Sequence, residues 1–184
     1  MEDIVANKNE IRQQIQELKK QLSEGQKVQA ADSVFNKIEL LPEFKSAKKI
    51  LMYWSITDEL PTHKFVEKWS AEKEILLPSV VDDDIVIKKY SAKENLKRGN
   101  LGIYEPETDG LYVGKIDIAI VPGVAFDLKM NRLGRGKGYY DRFFNDVETQ
   151  KWGVGFDFQV VSSVPANDDD KPMNKVISPT KTIE

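Results

Sequence analysis

From Asn7 to about Leu22, Ile11, Ile15, Leu18 and Leu22 recur at helical spacing among polar residues, which predicts an amphipathic helix with Asn7 as its N-cap. Gly25 interrupts the pattern. Val28, Ala31, Phe35 and Ile38 then predict a second helix that stops at Leu41-Pro42, because proline lacks an amide hydrogen and disfavours helix in the residue before it. From residue 49 the rhythm changes. Short apolar runs at Lys49 to Trp54, Ile75 to Leu77, Ile85 to Tyr90, Ile116 to Val121 and Lys151 to Phe156 read as strands, several of the continuous type buried in parallel sheets. Between them helical spacing returns twice, in a helix opening at Pro61 and carrying Phe65, Val66 and Trp69, and in one carrying Tyr139, Tyr140, Phe143 and Phe144. Gly153 and Gly155 mark close backbone approach, and Val160-Val161 is expected to continue the sheet edge. Such alternation predicts one α/β domain with a mainly parallel sheet, headed by two N-terminal helices.

The chain has 184 residues, enough for a single domain to bury a sizeable core without metals or disulfides. It contains no cysteine, so disulfides, thiol nucleophiles and thiolate ligands are excluded. A net charge of -3 argues against a general nucleic-acid binder and leaves room for a local basic patch. No apolar run approaches the roughly 20 residues that span a bilayer, and the first residues lack a signal-peptide core. A cytoplasmic protein with neither a nucleic-acid nor a membrane partner is expected, acting as a monomer. His63 is the only histidine, reads as a surface residue and receives no role. Asp82-Asp83-Asp84, in a gap that also holds Pro78, reads as a solvated turn.

Candidate chemistry concentrates between Val121 and Phe144, where an apolar strand breaks at Pro122 and Gly123 and is followed by Gly134, Gly136 and Gly138 among Arg132, Arg135 and Lys137. Glycine admits positive φ and close approach of backbone N-H groups, and the cations make the approaching ligand an anion. The helix that follows would turn its N-terminus to the loop and favour phosphate. This is neither a Walker loop nor a G-x-G-x-x-G fingerprint. Lys8 and Arg12, four apart on a helix, share a face and could grip one anion; two cations on a solvated face would look the same. Trp54, Ser55, Asp58 and Glu59 follow a strand, where ligands gather in parallel sheets, although acidic residues before a helix also serve as caps. In Asn100-Leu101-Gly102-Ile103-Tyr104-Glu105-Pro106, read as an extended piece, Tyr104 can stack on a flat ring and Glu105 can accept hydrogen bonds. A packed Tyr and an exposed Glu would give the same string.

Pro-Gly-Val-Ala-Phe-Asp from Pro122, followed by Arg-Leu-Gly-Arg-Gly-Lys-Gly-Tyr-Tyr-Asp-Arg from Arg132, resembles the signature of the 5-formyltetrahydrofolate cyclo-ligase family. The likeness extends to Lys8-x-x-x-Arg12, Asp58-Glu59, Gly102 to Pro106, and Val164-Pro165-Ala166-Asn167 leading to Asp170. It therefore spans nearly the whole chain. The chain departs from the family pattern at Met130, where the family usually has glycine, and at Asn174, where it often has an aspartate. The resemblance implies a single Rossmann-like three-layer domain, and ATP-dependent conversion of 5-formyltetrahydrofolate to 5,10-methenyltetrahydrofolate through a phosphorylated formyl group. It implies nucleotide contacts from Lys8 and Arg12 and from Arg132, Gly134, Arg135, Gly136, Lys137, Gly138 and Tyr139, with Arg135, Lys137 and Glu59 carrying the chemistry. Trp54, Glu59, Tyr104, Glu105 and Tyr140 would meet the folate. Asp141 and Asp170 would hold Mg²⁺.

Two rivals come from other classes. A non-catalytic folate- or nucleotide-binding module predicts binding without turnover, and another α/β enzyme acting on a phosphorylated sugar or CoA substrate predicts indifference to folate. Fold alone would not decide among them.

Overall fold

Ser23 decides where the second helix begins. Helix α1 (Glu2–Lys20) gives way to α2 (Glu24–Leu40) at a reciprocal capping box, in which Ser23 Oγ accepts the Gln26 amide and the Gln26 side chain accepts from the Ser23 amide. Gly25 therefore lies inside the first turn of α2 rather than between helices. Its flexibility costs little there, since first-turn amides have no intrahelical partner. Asn7 is not a cap either, because α1 starts upstream of it. Leu41-Pro42 does end α2, yet Pro42 opens a short further helix, α3 (Pro42–Ser46), a position where its missing N-H is no loss.

The computed structural model describes residues 2–82, 84–99, 102–108, 110–167 and 169–184, with the backbone alone for 2–6. Asp83 of the acidic turn, Asn100 and Leu101 of the extended piece, and Asp168 of the tail lie outside the described residues. Beyond α3 the chain runs β1 (Lys49–Leu51), α4 (His63–Trp69), β2 (Glu74–Val81), β3 (Asp84–Lys89), β4 (Leu96–Arg98), β5 (Tyr104–Pro106) and β6 (Ile118–Pro122). It continues with β7 (Ala125–Asp127), β8 (Arg132–Leu133), α5 (Tyr139–Asp146), β9 (Gln150–Val154), β10 (Val160–Val161), β11 (Lys175–Ile177) and β12 (Thr182–Ile183).

The main sheet has seven strands in the order β12-β11-β9-β6-β1-β2-β3. From β11 to β2 neighbouring strands are parallel, and β3 and β12 close the two edges antiparallel. One face, with Ile50, Ile75, Ile118 and Trp152, packs against Phe35, Phe44 and Phe65 of α2, α3 and α4. The other, with Leu51, Leu76, Ala119 and Val121, packs against Phe126 and Phe144 of β7 and α5. Helices thus cover both faces of a mainly parallel sheet, the expected α/β architecture.

Several boundaries move for identifiable reasons. Pro78 sits within β2, not in a gap after it: β1 pairing ends at Leu51 opposite Leu76, so beyond that point β3 is the only strand paired with β2 among the described residues, and a residue without N-H is tolerated on the vacated side. Strand β1 likewise ends at Leu51 rather than Trp54, and α4 begins at His63, past Pro61. Val160-Val161 does not extend the main sheet. It pairs with β7 in a separate three-stranded sheet, β10-β7-β8. Gly153 is the close approach expected of it, since a Cβ there would lie 2.4 Å from the Phe126 ring.

Candidate active site

The C-terminal ends of β1, β2 and β6 open into a cleft of about 320 Å³ roofed by α1 and by the β8–α5 loop. The residues expected to meet nucleotide, folate and metal all line this one cleft, those of the N-terminal helix and of the tail included, whereas Ser55 and Asp58 are not part of its lining. In the β8–α5 loop Gly136 and Gly138 take φ of +100° and +68°, conformations that residues with a Cβ rarely adopt. Gly138 is the N-cap of α5 and supplies no side-chain acceptor, which leaves first-turn amides for a ligand. Helix α1 crosses the loop: Arg12 Nε donates to Gly134 O at 3.0 Å, and Lys8 Nζ lies 2.6 Å from Asp170 Oδ2. The Lys137 ammonium has no ion pair or hydrogen bond among the described residues. Arg132 is buried and donates through Nη2 to both oxygens of Asp141 at 3.0 Å, while its Nε has no hydrogen-bond partner among the described residues.

The opposite wall is aromatic and acidic. Trp54 stacks between His63, 4.2 Å away, and Tyr90, 5.8 Å away. His63 is thus half-buried rather than a surface residue, with Nε2 3.0 Å from Ser55 O, and burial lowers its pKa. Burial raises the pKa of Glu59, a carboxyl bonded by the Ile56 amide at 3.2 Å. Burial, then the charge of Glu59, raises that of the Tyr140 phenol, so its hydroxyl stays protonated; the Arg132 guanidinium lies 5.4 Å over its ring. Tyr104 is exposed at the mouth, and the buried Glu105 accepts the Val80 amide through Oε1.

Some contributors were not singled out from the sequence. Tyr53 lines the cleft, its buried hydroxyl donating to Leu60 O; adjacency to Trp54 at a strand end was its only signal. Lys19 stands behind Asp58 and shares the α1 face of Lys8, Arg12 and Ile15, a spacing legible in the sequence. Asp127, 1% exposed, builds the β7–β8 turn: Oδ1 accepts the Lys129 and Asn131 amides and Oδ2 the Val164 amide. Burial opposes its ionisation, yet these hydrogen bonds prevail and hold its carboxyl below the usual range. Met130, in that turn, takes φ of +64°. The left-handed conformation is kept without glycine, held by bonds from Met130 N to Asp127 O and from Met173 N to Met130 O. Asn174 is far from this chemistry: its Oδ1 accepts the Lys151 amide and its own amide bonds Lys151 O, joining the starts of β9 and β11.

Comparison with known proteins bears on what such a cleft does. A model of the 5-formyltetrahydrofolate cyclo-ligase family matches residues 4–179. The chain belongs to that family. A probable 5-formyltetrahydrofolate cyclo-ligase of Caenorhabditis elegans is 29% identical, the match covering 96% of this chain and 94% of the relative. The 5-formyltetrahydrofolate cyclo-ligase of Escherichia coli strain K12 is 28% identical over 92% of this chain and 99% of its own. Among solved structures, the 5,10-methenyltetrahydrofolate synthetase of Aquifex aeolicus superposes with a TM-score of 0.87 at 34% identity, covering 96% of this chain and 92% of that one. Within this cyclo-ligase chain, no group of three or more metal-ligating side chains gathers among the described residues. An all-protein metal cage is thus absent there, whereas two carboxylates beside the cations Lys8 and Arg132 are a donor set that suits Mg²⁺ once phosphate oxygens and water are added. Asp170 Oδ1 accepts no hydrogen bond among the described residues, and Asp141 keeps lone pairs beyond those used by Arg132.

Proposed function

We propose that the protein catalyses the ATP-dependent cyclisation of 5-formyltetrahydrofolate to 5,10-methenyltetrahydrofolate, releasing ADP and phosphate. One observation carries this reading: the cationic glycine loop and the wall of Trp54, Glu59, Tyr104 and Tyr140 line the same cleft, so a triphosphate and a flat ring can meet in it. The formyl oxygen of an amide is a poor leaving group. Transfer of the terminal phosphoryl group of ATP to that oxygen makes it a good one; N10 then attacks the activated carbon and gives up its proton, and the ring is completed as the carbon–oxygen bond breaks and phosphate departs. Positioning and charge neutralisation carry such a transfer.

Each wall has a part in it. Arg135 and Lys137 neutralise charge on the transferring group, with the loop amides and the first turn of α5, at Tyr139, holding phosphate oxygens. Lys8 and Arg12 grip phosphates from α1, and Arg132 holds Asp141 in place. Glu59, whose burial favours the protonated form, can donate or accept a hydrogen bond beside the formyl group. Trp54 and Tyr104 stack on folate rings, and Tyr140 and Glu105 bond their polar edges. Asp141 and Asp170 would hold Mg²⁺, which would supply positive charge to offset that of the phosphate groups.

No helix among the described residues is long and apolar enough to cross a membrane. A monomer acting on small molecules in the cytoplasm is part of the same proposal. Mixing the protein with Mg·ATP and 5-formyltetrahydrofolate should produce the near-UV absorbance of the methenyl product, dependent on ATP. Absence of that signal at high protein concentration would exclude the reaction.

A further inference from the structure

Arg135 belongs to one wall of the cleft and is tied to the other. Its Nη2 lies 2.6 Å from Asp58 Oδ1 and 3.4 Å from Glu59 Oε1, so the anion loop is fastened to the segment between β1 and α4. Behind Asp58 stands Lys19 of α1, 6% exposed, whose ammonium has Asp58 Oδ2 at 3.8 Å as its recorded partner among the described residues. Lysine is seldom buried unless its charge is paired, because an ammonium loses much solvation in a protein interior. Burial lowers the pKa of Lys19 and the charge of Asp58 offsets it. Burial also opposes ionisation of Asp58, but the Arg135 hydrogen bond and the charge of Lys19 prevail and hold its carboxyl below the usual range. Charges therefore alternate from α1, through the loop before α4, to the anion loop.

An exposed ion pair alone is worth little, and Asp58 and Arg135 are 39% and 50% exposed. What distinguishes this one is its setting, with a buried lysine on one side and Glu59, 12% exposed, on the other. A guanidinium carries five N-H donors in a rigid fork. The recorded contacts of Arg135 use Nη2 alone, which leaves Nε and Nη1 for an anion.

We propose that Asp58 and Lys19 are positioning residues that hold Arg135 at the boundary between the nucleotide and folate halves of the cleft and so make the two substrates bind cooperatively. This rests on the cyclo-ligase reading above. Tethered by Asp58, the guanidinium can face phosphate on its open edge and Glu59 beside the folate at once, so either substrate stabilises the arrangement that the other binds; released from Asp58, it can turn to one and leave the other.

The test is a kinetic cycle of wild type, Asp58→Ala, Arg135→Ala and the double variant, with the KM for ATP measured at low and at saturating 5-formyltetrahydrofolate. In wild type, saturating folate should lower the KM for ATP. Asp58→Ala should abolish that coupling and lower kcat/KM by roughly tenfold, within the range expected for residues in one network. The double variant should be no worse than Arg135→Ala. Lys19→Met should reproduce part of the Asp58→Ala effect and Lys19→Arg should restore it, with thermal melting monitored to show that each variant is folded. Losses that multiply in the double variant, or coupling unchanged in a folded Asp58→Ala, would overturn the proposal. Wild-type turnover in the same assay separates the two readings. Without it the cyclo-ligase reading falls and this one with it; with it, wild-type behaviour of Asp58→Ala removes only the positioning role.

Discussion

The two ends of the parallel sheet use the same residue types for different ends. At the N-terminal edge, Asp117 Oδ2 accepts the Lys48 and Lys49 amides and Asn174 Oδ1 accepts the Lys151 amide, so carboxylate and amide groups are spent on backbone donors at strand starts. At the C-terminal edge the carboxylates of Asp58, Asp141 and Asp170 face Arg135, Arg132 and Lys8, and cations on the glycine loop keep donors to spare. Size does not separate the two regions, for the hollow at the N-terminal edge, about 1090 Å³, exceeds the cleft. The difference lies in whether polar groups finish the fold or remain available to a ligand.

Substitutions at the functional edge should therefore damage activity while sparing the fold, beginning with the glycine loop. The Cβ of a Gly136→Val variant would meet only the flexible end of Arg12, at 3.4 Å, but the φ of +100° is one that a β-branched residue strongly resists. The variant should fold and lose ATP binding, measured by calorimetry. Normal nucleotide affinity would make the loop an ordinary turn.

Lys137→Ala should come next, with turnover reduced by roughly 10²-fold or more, the scale of removing one preorganised charge donor. A raised KM for ATP at normal kcat would show that Lys137 only binds. Asp141→Asn and Asp170→Asn should each raise the magnesium concentration needed for half-maximal activity. If both act through one ion, the double variant should lose less than the sum of the single losses, by about 0.5 to 3 kcal/mol. Strict additivity, with an unchanged magnesium requirement in Asp170→Asn, would remove Asp170 from the metal.

At the N-terminal edge the effect should fall on stability instead. Asp117→Ala should leave turnover unchanged and cost about 1 kcal/mol, a modest figure because the carboxylate is largely solvated. Asp117 and Glu59 should also respond to pH with opposite sign. Burial opposes ionisation of Asp117, but the Lys48 and Lys49 amides prevail and depress its pKa, so its stabilisation is present above an unfolded pKa of about 3.9 and is lost as pH falls through the folded value. Burial raises the pKa of Glu59, so folding stability declines as pH rises from an unfolded value of about 4.3 through the folded one. Melting temperature against pH should flatten on the acid side in Asp117→Ala and lose its decline with rising pH in Glu59→Gln. The same slopes in both variants would erase the distinction.

The functional edge was also the more legible in the sequence. Glycines interleaved with arginines, a break after an apolar strand and a cation pair four residues apart are local signals, and all fall on the cleft. Boundaries were read less well wherever long-range pairing decides them. Pro78 looked like a strand breaker because nothing local reveals that β1 stops opposite Leu76. Ser23 and Gln26 did hold a local signal, the capping box, which the more conspicuous Gly25 obscured. His63 looked like a surface residue because its stacking on Trp54 depends on how the loop between them folds back.

The contact between Lys8 and Asp170 joins residues 162 positions apart. A nascent chain leaving the ribosome therefore carries Lys8 long before the carboxylate that meets it exists. Helix α1 can form early, but the cleft it roofs is finished only when the last tenth or so of the chain arrives, in keeping with the late closure of non-local contacts. Neither half of this chain, expressed alone, should hold a partial active site; mixing the halves should restore one only if α1 docks across the completed sheet.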